Sequence, residues 1–301
     1  MEIKASQVKE LRDMTGVAMM ECKKALVECE GDIEKALDLL RSNSALKAEK
    51  KAARVAADGV LRIFVGESHA TLIEINSETD FAAKDANFLK FADDVHQYIS
   101  ENKVSNINEI TESEIEDKRK ALVQTIGENI QLRRLETVEY SADMNASSYL
   151  HSDSKLGSVV VITGGDESLA KDIAMHVAAF SPLCLSADDI DPDVLEREKA
   201  IYMVQAEESG KPKEIMEKMI DGKVKRFLSE VSLLSQNFVK DPEVSIQGLL
   251  DANNAKIESY SRLKVGEGIE VETKSFARSG RHFSVCGRGK AKRHRRRRVW
   301  F

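Results

Sequence analysis

Between residues 4 and 42 apolar side chains recur every three or four positions, in three short runs. Val8, Leu11 and Met14 make the first, with Ser6 as its expected cap and Thr15-Gly16 as its end. Cys22, Ala25, Leu26 and Cys29 make the second; Gly31-Asp32 stops it and caps a third that carries Ile33, Ala36, Leu37 and Leu40. This spacing predicts three helices, each with one buried stripe. It also makes Cys22 and Cys29, two turns apart on one face, core residues. The Ala/Lys-rich run 44–57 reads as a helical or flexible connector.

The period then changes. Val60-Leu61-Arg62-Ile63-Phe64-Val65, the turn Gly66-Glu67-Ser68 and Ala70-Thr71-Leu72-Ile73-Glu74-Ile75 predict a hairpin. A helix with Phe88, Phe91, Ala92, Val95 and Ile99 follows, then a helix over 113–127 and a strand over 131–140. The order strand, strand, helix recurs in 137–140, 156–163 and a helix carrying Leu169, Ile173, Val177 and Phe180, which implies two related α/β subdomains with antiparallel sheets. Asp191-Pro192 and Pro212 start two charged helices around Ser209-Gly210-Lys211, an expected antiparallel coiled-coil hairpin inserted into the second subdomain. A turn at Phe238-Val239-Lys240-Asp241-Pro242, a helix over 246–252 and a strand over 259–265 complete an α+β chain. The expected divisions are 1–54 for the three helices and connector, 55–143 for the first subdomain, 144–186 and 228–270 for the second, 187–227 for the hairpin and 271–301 for a tail.

Charge separates the tail from the rest. The chain of 301 residues has 45 Lys plus Arg against 51 Asp plus Glu, a net charge of -6. Ten of those basic residues and none of the acids fall in the last 26 positions, so the remainder holds 35 basic against 51 acidic residues, a charge of about -16. An acidic body is a poor sequence-independent binder of nucleic acid, which leaves the Arg-rich tail as the one segment suited to it. That tail, 271–301, reads as disordered. No apolar run is long enough to cross a bilayer, and Cys22, Cys29, Cys184 and Cys286 show neither a C-x-x-C pair nor a nearby His; reduced thiols in the cytoplasm are expected.

Catalytic motifs are missing. Gly210-Lys211 is followed by Pro212 and Gly222-Lys223 by Val224, so no phosphate-cradling loop is formed, and H-E-x-x-H, G-x-S-x-G and G-x-G-x-x-G do not occur. No cofactor or metal is expected. His176 shares a stripe with Leu169 and Ile173 and is expected as a core or subunit-contact residue. One segment invites a functional reading: Ile75-Asn76-Ser77-Glu78-Thr79-Asp80-Phe81-Ala82 leaves a buried strand and sets a carboxylate beside a large aromatic before a helix. Two readings stand. Thr79 or Asp80 caps the next helix while Phe81 folds onto the core, or an acid and an anchoring aromatic on a rigid loop reach into a partner.

Several motifs resemble, in register, those of the bacterial elongation factor Ts family. They are Met14-Thr15-Gly16-Val17, Glu74-Ile75-Asn76-Ser77-Glu78-Thr79-Asp80-Phe81, Ile126-Gly127-Glu128-Asn129-Ile130, Met175-His176-Val177-Ala178-Ala179 and Phe238-Val239-Lys240-Asp241, spread over about residues 1 to 270. The resemblance implies a UBA-like N-terminal domain and a guanine-nucleotide exchange factor for elongation factor Tu, in its GDP-bound and nucleotide-free forms, with no covalent chemistry. It implies that the turn at Thr79, Asp80, Phe81 and Ala82 enters the partner beside its magnesium site, with Ile126 and Gly127 flanking. It further implies contacts from Arg12, Met19, Met20 and Lys23 to the partner's G domain and from His151 to its third domain. Read without it, Met19 and Met20 are equally core residues and Lys23 a solvated one.

Past Lys264-Val265-Gly266-Glu267-Gly268-Ile269-Glu270 the resemblance ends: the family continues into an acidic, alanine-rich helical module, and this chain into Arg295-Arg296-Arg297-Arg298-Val299-Trp300-Phe301. A polyanion-binding tail and a changed reading frame are the two readings of that difference. The alternative function is an RNA- or ribosome-associated protein acting through the tail. A peptide- or ubiquitin-binding adaptor rests on the three helices alone. The hairpin also allows a homodimer.

Overall fold

The computed structural model describes residues 3–210 and 212–270. The basic tail, with both readings attached to it, lies outside these residues, as do Cys286 and Lys211 of the expected hairpin turn. Within them the chain is α+β, with helices and antiparallel sheets in separate layers.

Three helices come first: α1 (Ala5–Thr15), α2 (Met19–Glu28) and α3 (Ile33–Lys51). They close on Val8, Leu11, Val17, Cys22, Leu26, Ala36 and Leu40. Asp32 caps α3, its carboxylate accepting the Lys35 N–H at 3.1 Å. Two details differ from the sequence reading. Ser6 lies inside α1, whose start is held instead by Lys4 N–H donating to Gln7 Oε1 at 3.1 Å. Met14 is exposed because the buried stripe passes to Thr15, whose hydroxyl donates to Leu11 O. Of the two readings of the Ala/Lys run the helical one holds as far as Lys51, the last residue of α3.

Two three-stranded sheets follow. The first orders β1 (Asp58–Val65), β2 (His69–Ser77) and β3 (Ile130–Glu139), all antiparallel. Between β2 and β3 lie a short α4 (Asp80–Ala83), then α5 (Ala86–Asn102), α6 (Ile107–Thr111) and α7 (Glu114–Ile126). The second sheet orders β4 (Asn145–Leu150), β5 (Leu156–Thr163) and β8 (Lys256–Lys264). The segment 137–140, read as the opening strand of the repeat, belongs mostly to β3, with Thr137 paired to Thr71 and Glu139 to His69. The true opening strand, Asn-Ala-Ser-Ser-Tyr-Leu, is too polar and short to show a strand pattern.

Alternation along the strands divides the core. Val60, Ile73 and Ile75 face α5 and α7 with Phe88, Phe91, Val95 and Val123, and Ala48 brings α3 to the same core. Leu61, Ala70 and Leu72, on the other face, meet Val159 and Leu263 of the second sheet. Val160, Ile162 and Ile257 turn outward to α8 (Glu167–Phe180). Central strands β2 and β5 are thus covered on both faces, which is why they read as solid apolar runs.

The charged helices are α9 (Pro192–Glu208) and α10 (Lys213–Val231), packed on each other, with Asp191 capping α9. Their base is clasped by Leu183 N–H to Val231 O at 2.9 Å and Leu233 N–H to Cys184 O at 2.9 Å. The short hairpin β6 (Asn237–Phe238) and β7 (Asp241–Ser245) and helix α11 (Ile246–Ala252) lead into β8. His176 is a core residue: Val239 N–H donates to its Nδ1 at 3.2 Å, so Nε2 carries the proton and donates to Gln236 Oε1 at 3.0 Å. Among the described residues no helix is long and apolar enough to cross a membrane.

Candidate functional site

At the end of β2 the chain turns outward. Ser77 still pairs with both sheet neighbours, Asp58 and Ile130. Thr79 then adopts extended backbone and caps α4, its hydroxyl oxygen accepting the Ala82 N–H at 3.3 Å. Asp85, not Asp80, caps α5. Thr79 therefore takes the capping role, but Phe81 does not fold onto the core: it is 83% exposed at the tip of this turn. Burying such a ring in a complex would contribute about 1.5–3 kcal/mol.

The turn is anchored from α7 and β3. Glu128 accepts Thr79 N–H at 2.9 Å through Oε2 and the Thr79 hydroxyl at 2.7 Å through Oε1. Reciprocally, Glu78 Oε1 accepts Asn129 N–H at 2.6 Å. Buried Asn129 donates from Nδ2 to Ala52 O at 3.3 Å and Arg54 O at 2.8 Å, which attaches the end of α3 to the same junction. Gly127 makes the geometry possible: its φ of 87° ends α7 in the left-handed region, and a side chain there would be strained.

Asp80 is half-buried and ion-paired with Lys84 at 2.8 Å. The Lys84 hydrogen bond holds its carboxyl below the usual range; desolvation opposes it, and the charges of Lys84 and Lys155 add to it. Lys155, in the turn joining β4 to β5, pairs with Asp58 of β1. That turn also carries exposed His151, whose Nδ1 lies 3.0 Å from Asp153 Oδ1, and Leu61 N–H donates to its Ser154 O at 2.7 Å. The structure thus gathers Thr79, Asp80, Phe81 and Ala82 with Ile126 and Gly127, and sets the turn of His151 at their edge. Ile126 is partly buried against the helical core; Gly127 is exposed.

The second set of candidate residues comprises Met19, Met20 and Lys23 on α2 and Arg12 on α1. Met19 is 48% and Met20 66% exposed, so neither is a core residue, and Arg12 and Lys23 are solvated. Lys47 of α3 and Gln124 of α7 both donate to Glu21, at 2.6 and 3.2 Å, docking α2 beside α7. One helix, α7, therefore supports both sets.

A cleft of about 530 Å³ lies at the other end of β2, among Ser68, His69, Lys103, Ser105, Thr137 and Glu139, away from the exposed turn. Among the described residues no three His, Cys, Asp or Glu side chains are grouped to hold a metal ion. Reasoning from sequence missed the crossing of Glu78 and Glu128, and Lys155. Both glutamates sit inside recognised motifs, but their partners are 51 and 49 residues away, and no local spacing reports such a pair.

The family model described as Elongation factor TS matches residues 78–267. The chain is 50% identical to Elongation factor Ts of Hahella chejuensis over 277 residues, covering 91% of this chain and 96% of that one. It is 48% identical over 281 residues to Elongation factor Ts of Francisella tularensis subsp. novicida, with the same shares covered.

Proposed function

The chain belongs to the elongation factor Ts family, and on that premise we propose that it is the guanine-nucleotide exchange factor of elongation factor Tu. It binds the GDP form, disturbs the magnesium and phosphate site, and releases GDP so that GTP can enter. The observation that carries this reading is the exposed Phe81 beside Asp80 on a turn held at both ends.

Phe81 supplies the apolar wedge and Asp80 the charge. Mg2+ requires near-octahedral oxygen coordination and bridges nucleotide phosphates, so a wedge that shifts the partner's flanking elements by about an ångström weakens metal and nucleotide together. By linkage the nucleotide weakens factor binding by the same factor, so incoming GTP dissociates the complex. This chain makes and breaks no covalent bond. In this reading residues 1–54 form a UBA-like domain whose Arg12, Met19, Met20 and Lys23 hold the partner's G domain, His151 meets its third domain, and the two sheets belong to related subdomains. Release of fluorescent GDP from elongation factor Tu, with and without the chain, tests the proposal.

A further inference from the structure

We infer that Glu128 is a positioning residue for the exposed turn, fixing the direction of Phe81 through its two bonds to Thr79. The inference rests on the proposed role of that turn. A four-residue helix has no stability of its own, and Phe81, at 83% exposed, makes too little contact to orient itself. Buried Ala82 and Ala83 seat α4 against the first sheet and α5, and the hydrogen bonds that set the direction of the turn converge on Thr79. Its N–H and O–H go to Glu128, its hydroxyl oxygen receives Ala82 N–H, and its carbonyl receives Ser77 Oγ at 3.0 Å and Ala83 N–H at 3.2 Å. Four polar functions of one residue are used, two of them by one carboxylate.

The carboxylate is itself held. Gly127 sets its backbone direction, and Asn129 on its other side is tied to Glu78, Ala52 and Arg54. Charge-assisted bonds of this kind are short and directional, so they restrict the turn more than neutral ones would. A turn already ordered loses less conformational freedom on entering a partner, and this is where Glu128 acts. The bonds lie at the surface, so the fold itself depends on them little.

Two measurements separate this role from a merely structural one. In the full chain carrying fluorine-labelled phenylalanine, the Phe81 resonance, assigned with Phe81→Ala, reports the tip without any partner. Glu128→Ala shifts it toward the free-chain position with an unchanged melting temperature, and Glu128→Gln, which keeps one acceptor oxygen, gives an intermediate shift. An unmoved resonance in Glu128→Ala overturns the inference. In GDP release from elongation factor Tu, Glu128→Ala lowers the second-order rate constant by about tenfold, and adding it to Phe81→Ala costs nothing further. Equal losses in both backgrounds would show that Glu128 does not act through Phe81. A moved resonance with Phe81→Ala silent in exchange leaves the positioning role standing and sinks the role proposed for the turn.

Discussion

The Gly266 N–H donates to the Glu74 carboxylate at 2.8 Å, joining residues 192 positions apart. Glu74 is fully buried, and it also accepts from Asn76 at 3.0 Å, Arg133 at 3.0 Å and Arg134 at 2.5 Å. Burial pushes its carboxyl up, but the Gly266 N–H, Arg134 and Asn76 outweigh it and the net direction is down. Arg133 and Arg134 continue to Glu267 O and Lys264 O, so one carboxylate binds the end of β8 to the first sheet. Glu74→Ala would leave Arg133 and Arg134 without their carboxylate and the part-buried Gly266 N–H without its acceptor, at a cost of about 3–5 kcal/mol. Thermal unfolding should show a fall on the order of 10 °C.

Gly266 carries a second constraint. Its φ is +74°, and a Cβ there would stand 2.3 Å from Ala57 O. Gly266→Ala must move backbone, withdrawing the N–H from Glu74, and we expect about 1–3 kcal/mol of destabilisation. Because both act on one junction, the double variant with Glu74→Ala should lose less than the sum of the two single changes, which a denaturant-unfolding cycle measures.

His176 sets a pH response. Burial lowers its pKa, with the bond to Gln236 opposing. The unfolded chain therefore binds its proton first, at about pH 6.5. The contribution of neutral His176 to stability is complete above that value and is lost as pH falls toward and through the lower folded value. Melting temperature should decline on acidification below about pH 6.5, and His176→Asn should flatten that part of the curve. An unchanged slope in the variant would contradict the assignment.

The sequence made the helix stripes, the first hairpin and the acid-aromatic turn legible, because each is written in neighbouring residues: a period of three to four, a period of two, and Thr79-Asp80-Phe81 itself. It could not show that Phe81 stays in water, since an aromatic after a cap fits a folded-back ring equally well. Met19 and Met20 were ambiguous for the same reason: on α2 the buried stripe runs through Cys22, Ala25 and Leu26, and only the packing of α1 and α3 decides which side stays open. Long-range polar contacts were the hardest to read. Glu74 looks like a defect in an apolar strand until Arg133, Arg134 and Gly266 are beside it, and strand β4 shows its face only when paired to β5.

The surface on α2 gives an independent test of the proposed function. Met20→Asp places a charge on an exposed position outside the buried stripe of α2, so the melting temperature should stay within about 2 °C. Affinity for elongation factor Tu, measured by calorimetry, should fall by roughly tenfold, as removal of an apolar contact of 1–2 kcal/mol implies. Unchanged affinity would remove α2 from the interface.

The most direct test is GDP release from elongation factor Tu driven by the full chain and by its Phe81→Ala form, matched for melting temperature. Strong acceleration by the parent chain is expected, and its loss, by at least about tenfold, when the exposed ring is removed. Equal acceleration by both forms would contradict the assignment of exchange to the Thr79–Ala82 turn, and no acceleration by the folded parent would contradict exchange itself.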